Sequence, residues 1–281
     1  MLEPEVLKNR TAVVTGAASG IGAALAAELG AHGMAVVVAD IDVEGAHRTA
    51  AALEERGTAA LAVRVDTSDA DSVQELAEAA YATFGSVELV CNNAGVLTFG
   101  NVADSPVDDW RWLSSVNVEG LLNSVHAFVP RMRTQSGWRH IMNTASTHAF
   151  LPDPGYTGLY SATKQAVVAI SRGLRQELAP EGIDVTLLCP GQVASRILDS
   201  QRNRPERFGP NAAEPFGTGV IPIGTIEPEE VARQAVTGLL AGAEVTFALG
   251  ESSVFREQVA TWSRIVDQAI VVDRAVTGST G

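Results

Sequence analysis

Tyr160 and Lys164 stand four residues apart in the pentapeptide Tyr160-Ser161-Ala162-Thr163-Lys164. It opens an apolar stretch, 160–178, with Gly173 as its one glycine and no proline before Pro180, which reads as a helix. Residues four apart on a helix share a face and lie about one turn apart. A phenol has an ordinary pKa of about 10 and keeps its proton at neutral pH. A nearby ammonium favours the phenolate, and lowering that pKa by about three units takes about 4 kcal/mol of differential interaction. The pair is therefore a way of making a proton-transfer group from a tyrosine. A plain amphipathic helix with one Tyr and one Lys has the same spacing, so the rest of the chain must decide.

The elements ahead of the pair supply a second kind of chemistry. Residues 11–15 form a short apolar run that stops at Gly16, and 21–29 reads as an Ala-rich helix. Between them lies Gly16-Ala17-Ala18-Ser19-Gly20-Ile21-Gly22, a G-x-x-x-G-x-G loop. A turn of this kind between a strand and a helix presents backbone N–H groups and the positive helix end to a phosphate. Gly16 permits the tight turn, Gly20 lets the backbone approach, and Gly22 allows close helix–strand packing. The next strand, 35–39, ends at Asp40. A carboxylate there accepts hydrogen bonds from adenosine-ribose hydroxyls and repels a 2′-phosphate. Ala17, Ala18, Ser19 and Ile41 offer no base to hold that phosphate, so the loop predicts a dinucleotide, NAD in preference to NADP.

Strands and helices then alternate: helix 43–56, strand 59–65, helix 69–84 and strand 87–91, with Asp66, Asn92 and Asn93 just past strand ends. A long helical segment, 107–135, contains Gly120. Strand 140–144 leads to Ala145-Ser146, and after the Tyr160 helix come strand 184–189 and Pro190-Gly191. Alternation of this kind implies right-handed βαβ units and a parallel sheet covered on both faces. Residues 192–225 break the pattern, with a short helix expected at 195–202 and a Pro-, Gly- and Asn-rich stretch at 205–224. Such a segment reads as a substrate-binding loop or lid. Helix 228–240 and strand 244–249 follow. A C-terminal extension, 251–281, holds a last amphipathic helix over 252–272, with Phe255, Val259, Trp262, Ile265 and Val266 at helical spacing. No linker divides the chain, which reads as one α/β domain over 1–281.

The bulk composition narrows the function classes. A net charge of −13 disfavours nucleic acid as a partner, because phosphate contacts need clustered Lys and Arg. The longest basic grouping, Arg202-Asn203-Arg204 with Arg207, is small and interrupted by Pro205 and Glu206. Cys91 and Cys189 each end an apolar run and read as free buried thiols of a reducing compartment. The N-terminus lacks an apolar signal core, and no run approaches the ~18 apolar residues of a membrane span. The five histidines lack metal-ligand spacing. The expectation is a soluble, cytoplasmic protein without a metal.

Thr15-Gly16-x-x-x-Gly20-Ile21-Gly22, Asp66, Asn92-Asn93-Ala94-Gly95, Asn117, Ser146, Tyr160-x-x-x-Lys164 and Pro190-Gly191 occur in this order. Over about residues 8 to 250 the chain resembles the short-chain dehydrogenase/reductase family. The resemblance implies a Rossmann-type, doubly wound seven-stranded parallel sheet in the order 3-2-1-4-5-6-7. It also implies nicotinamide-dependent hydride transfer between an alcohol and a carbonyl. Tyr160 would be the general acid/base, and Lys164 would lower its pKa and bind the nicotinamide ribose. Ser146 would hydrogen-bond the substrate oxygen, and Asn117 would hold a water joining Lys164 to solvent. Alone, Asn117 passes as a helix-surface residue. Asp66, with Thr67 beside it, matches the adenine-contacting position, and Asn93, Ala94 and Gly95 the turn beneath the adenosine. Asn93 also reads as a tie between the fourth strand and its neighbours.

The family's Pro-Gly-x-Val-x-Thr becomes Pro190-Gly191-Gln192-Val193-Ala194-Ser195, and Ser195 keeps the hydroxyl that would meet the carboxamide. Ser195-Arg196-Ile197 with Asn203-Arg204-Pro205-Glu206-Arg207-Phe208 resembles lignin-type aryl-ether Cα-dehydrogenases within the family. His148, Phe150 and Leu151 follow Ser146, while Leu97, Phe99, Gln192, Ile197, Phe208 and Phe216 flank the expected pocket. An apolar, aryl-bearing or cyclic secondary alcohol or ketone would suit them. His148 reads either as a substrate-orienting group or as an ordinary loop histidine. By analogy with family dimers, helices 107–135 and 160–178 would pair in a homodimer or homotetramer. Two other readings share the scaffold: an epimerase or lyase using transient oxidation, and a non-catalytic NAD-binding regulator.

Overall fold

The computed structural model describes residues 2–150, 155–209 and 226–249. One parallel sheet runs in the order β3-β2-β1-β4-β5-β6-β7, the order that the family resemblance implies. Its strands are β1 (Thr11–Thr15), β2 (Ala35–Asp40), β3 (Ala60–Arg64), β4 (Leu89–Asn92), β5 (Arg139–Thr144), β6 (Ile183–Pro190) and β7 (Val245–Ala248). β1 and β2 are near-continuous apolar runs because both their faces are covered. All five residues of β1 are buried, and the side chains of Val13 and Val14 enter opposite layers.

Helices α1 (Gly20–Ala31), α2 (Val43–Glu54) and α7 (Pro228–Leu240) cover one face. Val14, Leu25, Val36, Val38, Val231 and Leu239 pack there. Helices α3 (Ala70–Phe84), α5 (Gly120–Thr134) and α6 (Gly158–Leu178) cover the other, around Val13, Val37, Leu76, Phe128, Val167 and Leu187. Alternation along β2, with Val36 and Val38 on one side and Val37 on the other, is the period-2 pattern of a strand. The strand order reverses between β1 and β4, and a crevice for a ligand opens outside the carboxyl ends of the strands at such a point.

Beyond shifts of one or two residues at element ends, three differences from the sequence reading bear on the site. The expected single helix 107–135 is α4 (Val107–Ser114), a π-helical turn (Ser115–Glu119) and α5. A π-turn inserts one residue into the helical repeat, and here it brings Asn117 inward to 3% exposure. The helix-surface reading of Asn117 is therefore wrong. The expected helix 195–202 is a 3-10 segment, Arg196–Asn203, followed by a second 3-10 turn, Glu206–Phe208. Helix α6, which carries Tyr160 and Lys164, begins at Gly158, two residues before Tyr160. Leu151, Phe216, most of the Pro/Gly-rich stretch and the expected helix 252–272 lie outside the described residues. Cys91 and Cys189 are free and buried, and burial pushes both thiols up to about 12.

Candidate active site

The carboxyl ends of β1 to β4 deliver Gly16, Asp40, Asp66 and Asn93 to the rim of one cleft. Gly16 has φ +68, and a Cβ built on it would lie 2.8 Å from the Ala94 Cα. A Cβ on Gly22 would lie 2.1 Å from the Gly16 carbonyl oxygen. Only glycine fits either place. The N-cap of α1, Ser19, makes no side-chain capping bond, and Ser19, Gly20, Ile21 and Gly22 at this helix N-terminus line the cleft. A glycine-built helix N-terminus of this kind suits a phosphate.

Asp40 is fixed by backbone donors. The Ala18 N–H donates to one carboxylate oxygen and the Asp42 N–H to the other, both at 2.9 Å. Asp66 accepts from the N–H and the hydroxyl of Ser68, at 3.0 and 2.6 Å. Thr67 and Ile41 also line the cleft, with Ser19, Gly20 and Ile21. The Asn93 side chain donates to the Thr15 carbonyl at 3.0 Å, while Thr15 Oγ1 accepts from the Asn93 and Ala94 N–H groups. Asn93 is thus the tie between β4 and the glycine loop. Beyond β6, the Gly191 N–H donates to the Ala248 carbonyl, Val193 bridges Ile226, and Ser195 Cβ comes within 3.1 Å of a Cβ placed on Gly20.

The second half of the site is buried. Tyr160, Lys164 and Ser146 are 6%, 3% and 6% exposed. Lys164 Nζ donates to the Thr144 carbonyl at 2.9 Å and lies 5.8 Å from the centre of the Tyr160 ring. Ser146, the N-cap of a 3-10 turn after β5, accepts from the His148 N–H at 3.2 Å, and its hydroxyl lies 3.4 Å from His148 Nδ1. The His148 ring meets the Tyr160 ring edge-on at 5.7 Å. Asn117 Oδ1 accepts from the Val96 N–H at 2.8 Å, and its amide donates to the Val96 carbonyl and to Thr163 Oγ1, each at 3.0 Å. A Cβ on Gly95 would lie 3.3 Å from Lys164 Nζ and 3.4 Å from Asn117 Oδ1.

Burial dominates the protonation of the pair. Desolvation raises Tyr160 to about 12, against a lowering influence from its hydrogen bond with Ser146. Desolvation also lowers Lys164 to about 8. Taking a group out of water disfavours its charged form, so a phenol rises and an amine falls. The tyrosine is therefore protonated in this state, where the spacing alone pointed to a lowered pKa.

Around Tyr160, an apolar cluster of Val96, Leu97, Trp112 and Leu113 is completed by Phe99, Ile197 and Phe208. Of the expected substrate contacts, Ile197 lies in this cluster and His148 lies against Tyr160. Phe150 instead packs edge-on to Phe247 at 5.3 Å in the layer beneath the sheet, and Gln192 is exposed. An ion pair between Arg204 and Asp109 beside Trp112 had no local sequence signal, since its partners are 95 residues apart. Among the described residues no helix is long and apolar enough to cross a membrane.

A glycine cradle, a carboxylate after the second strand and a buried Ser–Tyr–Lys group on a doubly wound sheet define a dinucleotide-dependent oxidoreductase architecture. A family model described as short chain dehydrogenase matches residues 10–206, and the chain belongs to the short-chain dehydrogenase/reductase family. It is 42% identical over 196 residues to a 1-deoxy-11-beta-hydroxypentalenate dehydrogenase of Streptomyces exfoliatus, covering 68% of this chain and 70% of that one. It is 32% identical over 238 residues to a C alpha-dehydrogenase of Sphingobium sp., covering 83% and 78%. A short-chain dehydrogenase/reductase from Burkholderia phymatum, solved in complex with NAD, superposes with a TM-score of 0.86 at 33% identity, covering 93% and 96%.

Proposed function

We propose that the protein is an NAD(H)-dependent alcohol dehydrogenase/ketone reductase acting on a hydrophobic secondary alcohol or ketone, with Tyr160 as its general acid/base. The observation that carries this reading is the burial of Tyr160, Ser146 and Lys164, with Lys164 Nζ 3.3 Å from a Cβ placed on Gly95, a residue of the cleft that Gly16 and Asp40 line. A bound dinucleotide would lie along Gly16, Ser19, Gly20, Ile21 and Gly22, with its adenosine near Asp40, Ile41, Asp66, Thr67 and Asn93 to Gly95. Its nicotinamide end would reach Pro190, Gly191, Val193 and Ser195. When bound, it supplies the hydride acceptor or donor and, when oxidised, a positive charge.

Asp40 supports NAD over NADP. Its carboxylate is held in place by two backbone N–H groups, so it cannot swing away from a 2′-phosphate, which it repels. Tyr160 Oη, ionised to the phenolate, takes the hydroxyl proton in oxidation, and as the phenol gives it to the carbonyl oxygen in reduction. Ser146 Oγ hydrogen-bonds the reacting oxygen and stabilises charge as it develops. Lys164, protonated below about pH 8, supplies the positive charge that a phenolate needs. Asn117 braces Lys164 through Thr163 and would hold a water that relays protons between Lys164 and solvent. The apolar cluster of Leu97, Phe99, Trp112, Ile197 and Phe208 suits a cyclic or aryl substrate, and the two named relatives, a hydroxypentalenate dehydrogenase and a C alpha-dehydrogenase, point the same way.

The test is a panel of aliphatic, cyclic and aryl secondary alcohols assayed with NAD+ and with NADP+, following release of reduced cofactor. The reading expects stoichiometric NADH from cyclic or aryl members and little NADPH. A better rate with NADP+ would contradict the cofactor assignment. Turnover without release of NADH would point to an epimerase.

A further inference from the structure

The segment Arg196–Phe208 lies over the apolar cluster around Tyr160, and one buried side chain holds it there. The Arg204 side chain is 4% exposed and that of Asp109 only 1%. All three guanidinium nitrogens of Arg204 are used, and each serves a different acceptor. One Nη donates to Asp109 Oδ1 at 2.5 Å, the other to the Phe208 carbonyl at 2.6 Å, and Nε donates to the Gly209 carbonyl at 3.0 Å. The guanidinium also sits 5.1 Å from the centre of the Trp112 ring, a favourable place for a cation. Asp109 belongs to the first turn of α4, where the helix dipole favours a carboxylate. The middle of the segment is tied by Ser200, whose hydroxyl accepts from the Leu97 N–H at 3.2 Å.

A buried ion pair is weak evidence for stability, because desolvation offsets much of its Coulomb attraction. Such pairs act best in fixing register, and this one joins two segments 95 residues apart. The residues it fixes are Phe208, through its carbonyl, and Ile197, through the shared segment. Both pack on the cluster that contains Tyr160. We propose that Arg204, clamped by Asp109 and Trp112, is a positioning residue that sets the apolar roof of the substrate pocket and hence its affinity for hydrophobic substrates. The proposal rests on the reading of Tyr160 as the proton-transfer group. Lysine cannot replace the arginine, since one ammonium cannot span three acceptors arrayed in a plane.

The test compares the wild type with Arg204→Met, Arg204→Lys and the double variant Arg204→Met/Asp109→Leu, which replaces the pair by apolar side chains of similar size. Backbone hydrogen exchange is followed over 196–209 and over β1 to β4. NADH affinity is measured by fluorescence titration, and KM and kcat are measured with acetophenone and cyclohexanone. In Arg204→Met the expected result is at least about tenfold faster exchange confined to 196–209, with a loss of NADH affinity smaller than the rise in KM, because Arg196, Ser200 and Arg202 also line the cleft of Gly16 and Asp40. KM for the ketones should rise about tenfold while kcat changes by less than about twofold. Arg204→Lys should fall between. Unchanged exchange at 196–209 overturns the proposal, as does a loss of NADH affinity as large as the rise in KM. Failure of the single and double variants alike to fold would also overturn it, by making the pair part of the general core. If the wild type turned over neither ketone, the reading of Tyr160 would be the one in difficulty, and the exchange measurement would still decide the clamp.

Discussion

The amide of Asn117 donates a 3.0 Å hydrogen bond to the hydroxyl of Thr163, the residue before Lys164. The same carboxamide closes two bonds with the backbone of Val96, so one side chain joins the π-turn, the loop after β4 and the helix that carries Tyr160 and Lys164. Asn117→Ala leaves the buried Val96 N–H and C=O without partners. At about 1–3 kcal/mol for each unsatisfied buried group, the loss of stability should be about 2–6 kcal/mol. Urea denaturation of the two proteins measures it, and a difference below about 0.5 kcal/mol would mean that water substitutes freely for the carboxamide.

Asp40→Ala should relax the choice of cofactor. The substitution removes the charge that repels a 2′-phosphate and frees the N–H groups of Ala18 and Asp42, which can then face an anion. The ratio of kcat/KM for NADP+ to that for NAD+ should rise at least about tenfold, chiefly through a loss with NAD+. An unchanged ratio would assign Asp40 to the turn before α2 alone.

Lys164 makes stability depend on pH in a direction that can be worked out. Its pKa falls from 10.5 to about 8 in the folded protein because burial penalises the ammonium. Between those values the unfolded chain binds more protons than the folded one, so this group's contribution rises with pH. Below about pH 8 the penalty is present in full, and it is gone above about 10.5. Burial raises Cys91, Cys189, Tyr81 and Tyr160 to about 12, which lowers stability with pH above about 9. The comparison is therefore with Lys164→Met, which retains those groups. The wild type should gain about 3 kcal/mol on the variant between pH 8 and 10.5, at 1.36 kcal/mol per pKa unit. Parallel stability curves for the two proteins would show that Lys164 is hydrated.

The parts of this site that the sequence discloses are those set by local backbone demands. Gly16 and Gly22 announce a turn with no room for side chains, and Asp40 follows an apolar run whose end is easy to find. The sheet order is legible only through the resemblance, because alternation of strands and helices does not rank the strands. The π-turn is not legible at all. The pattern over 107–135 is helical throughout, and the extra residue is drawn in by the bonds of Asn117 to Val96 and Thr163, contacts far apart in the chain. Tyr160 shows a different gap. Its spacing to Lys164 predicts a lowered pKa, whereas the burial of both side chains raises the phenol and lowers the amine. Phe150 follows Ser146 closely in sequence, but the 3-10 turn between them directs its ring to Phe247.

The most direct measurement of the central claim is the single-turnover rate of hydride transfer from an alcohol to bound NAD+ in Tyr160→Phe. The substitution removes one oxygen from a buried ring and leaves the glycine cradle and Asp40 untouched. NADH affinity should stay within about threefold of the wild type, while the rate falls by at least about a hundredfold, the lower end of what a general acid/base contributes. A Tyr160→Phe protein that transfers hydride at close to the wild-type rate would contradict the assignment of the proton to Tyr160.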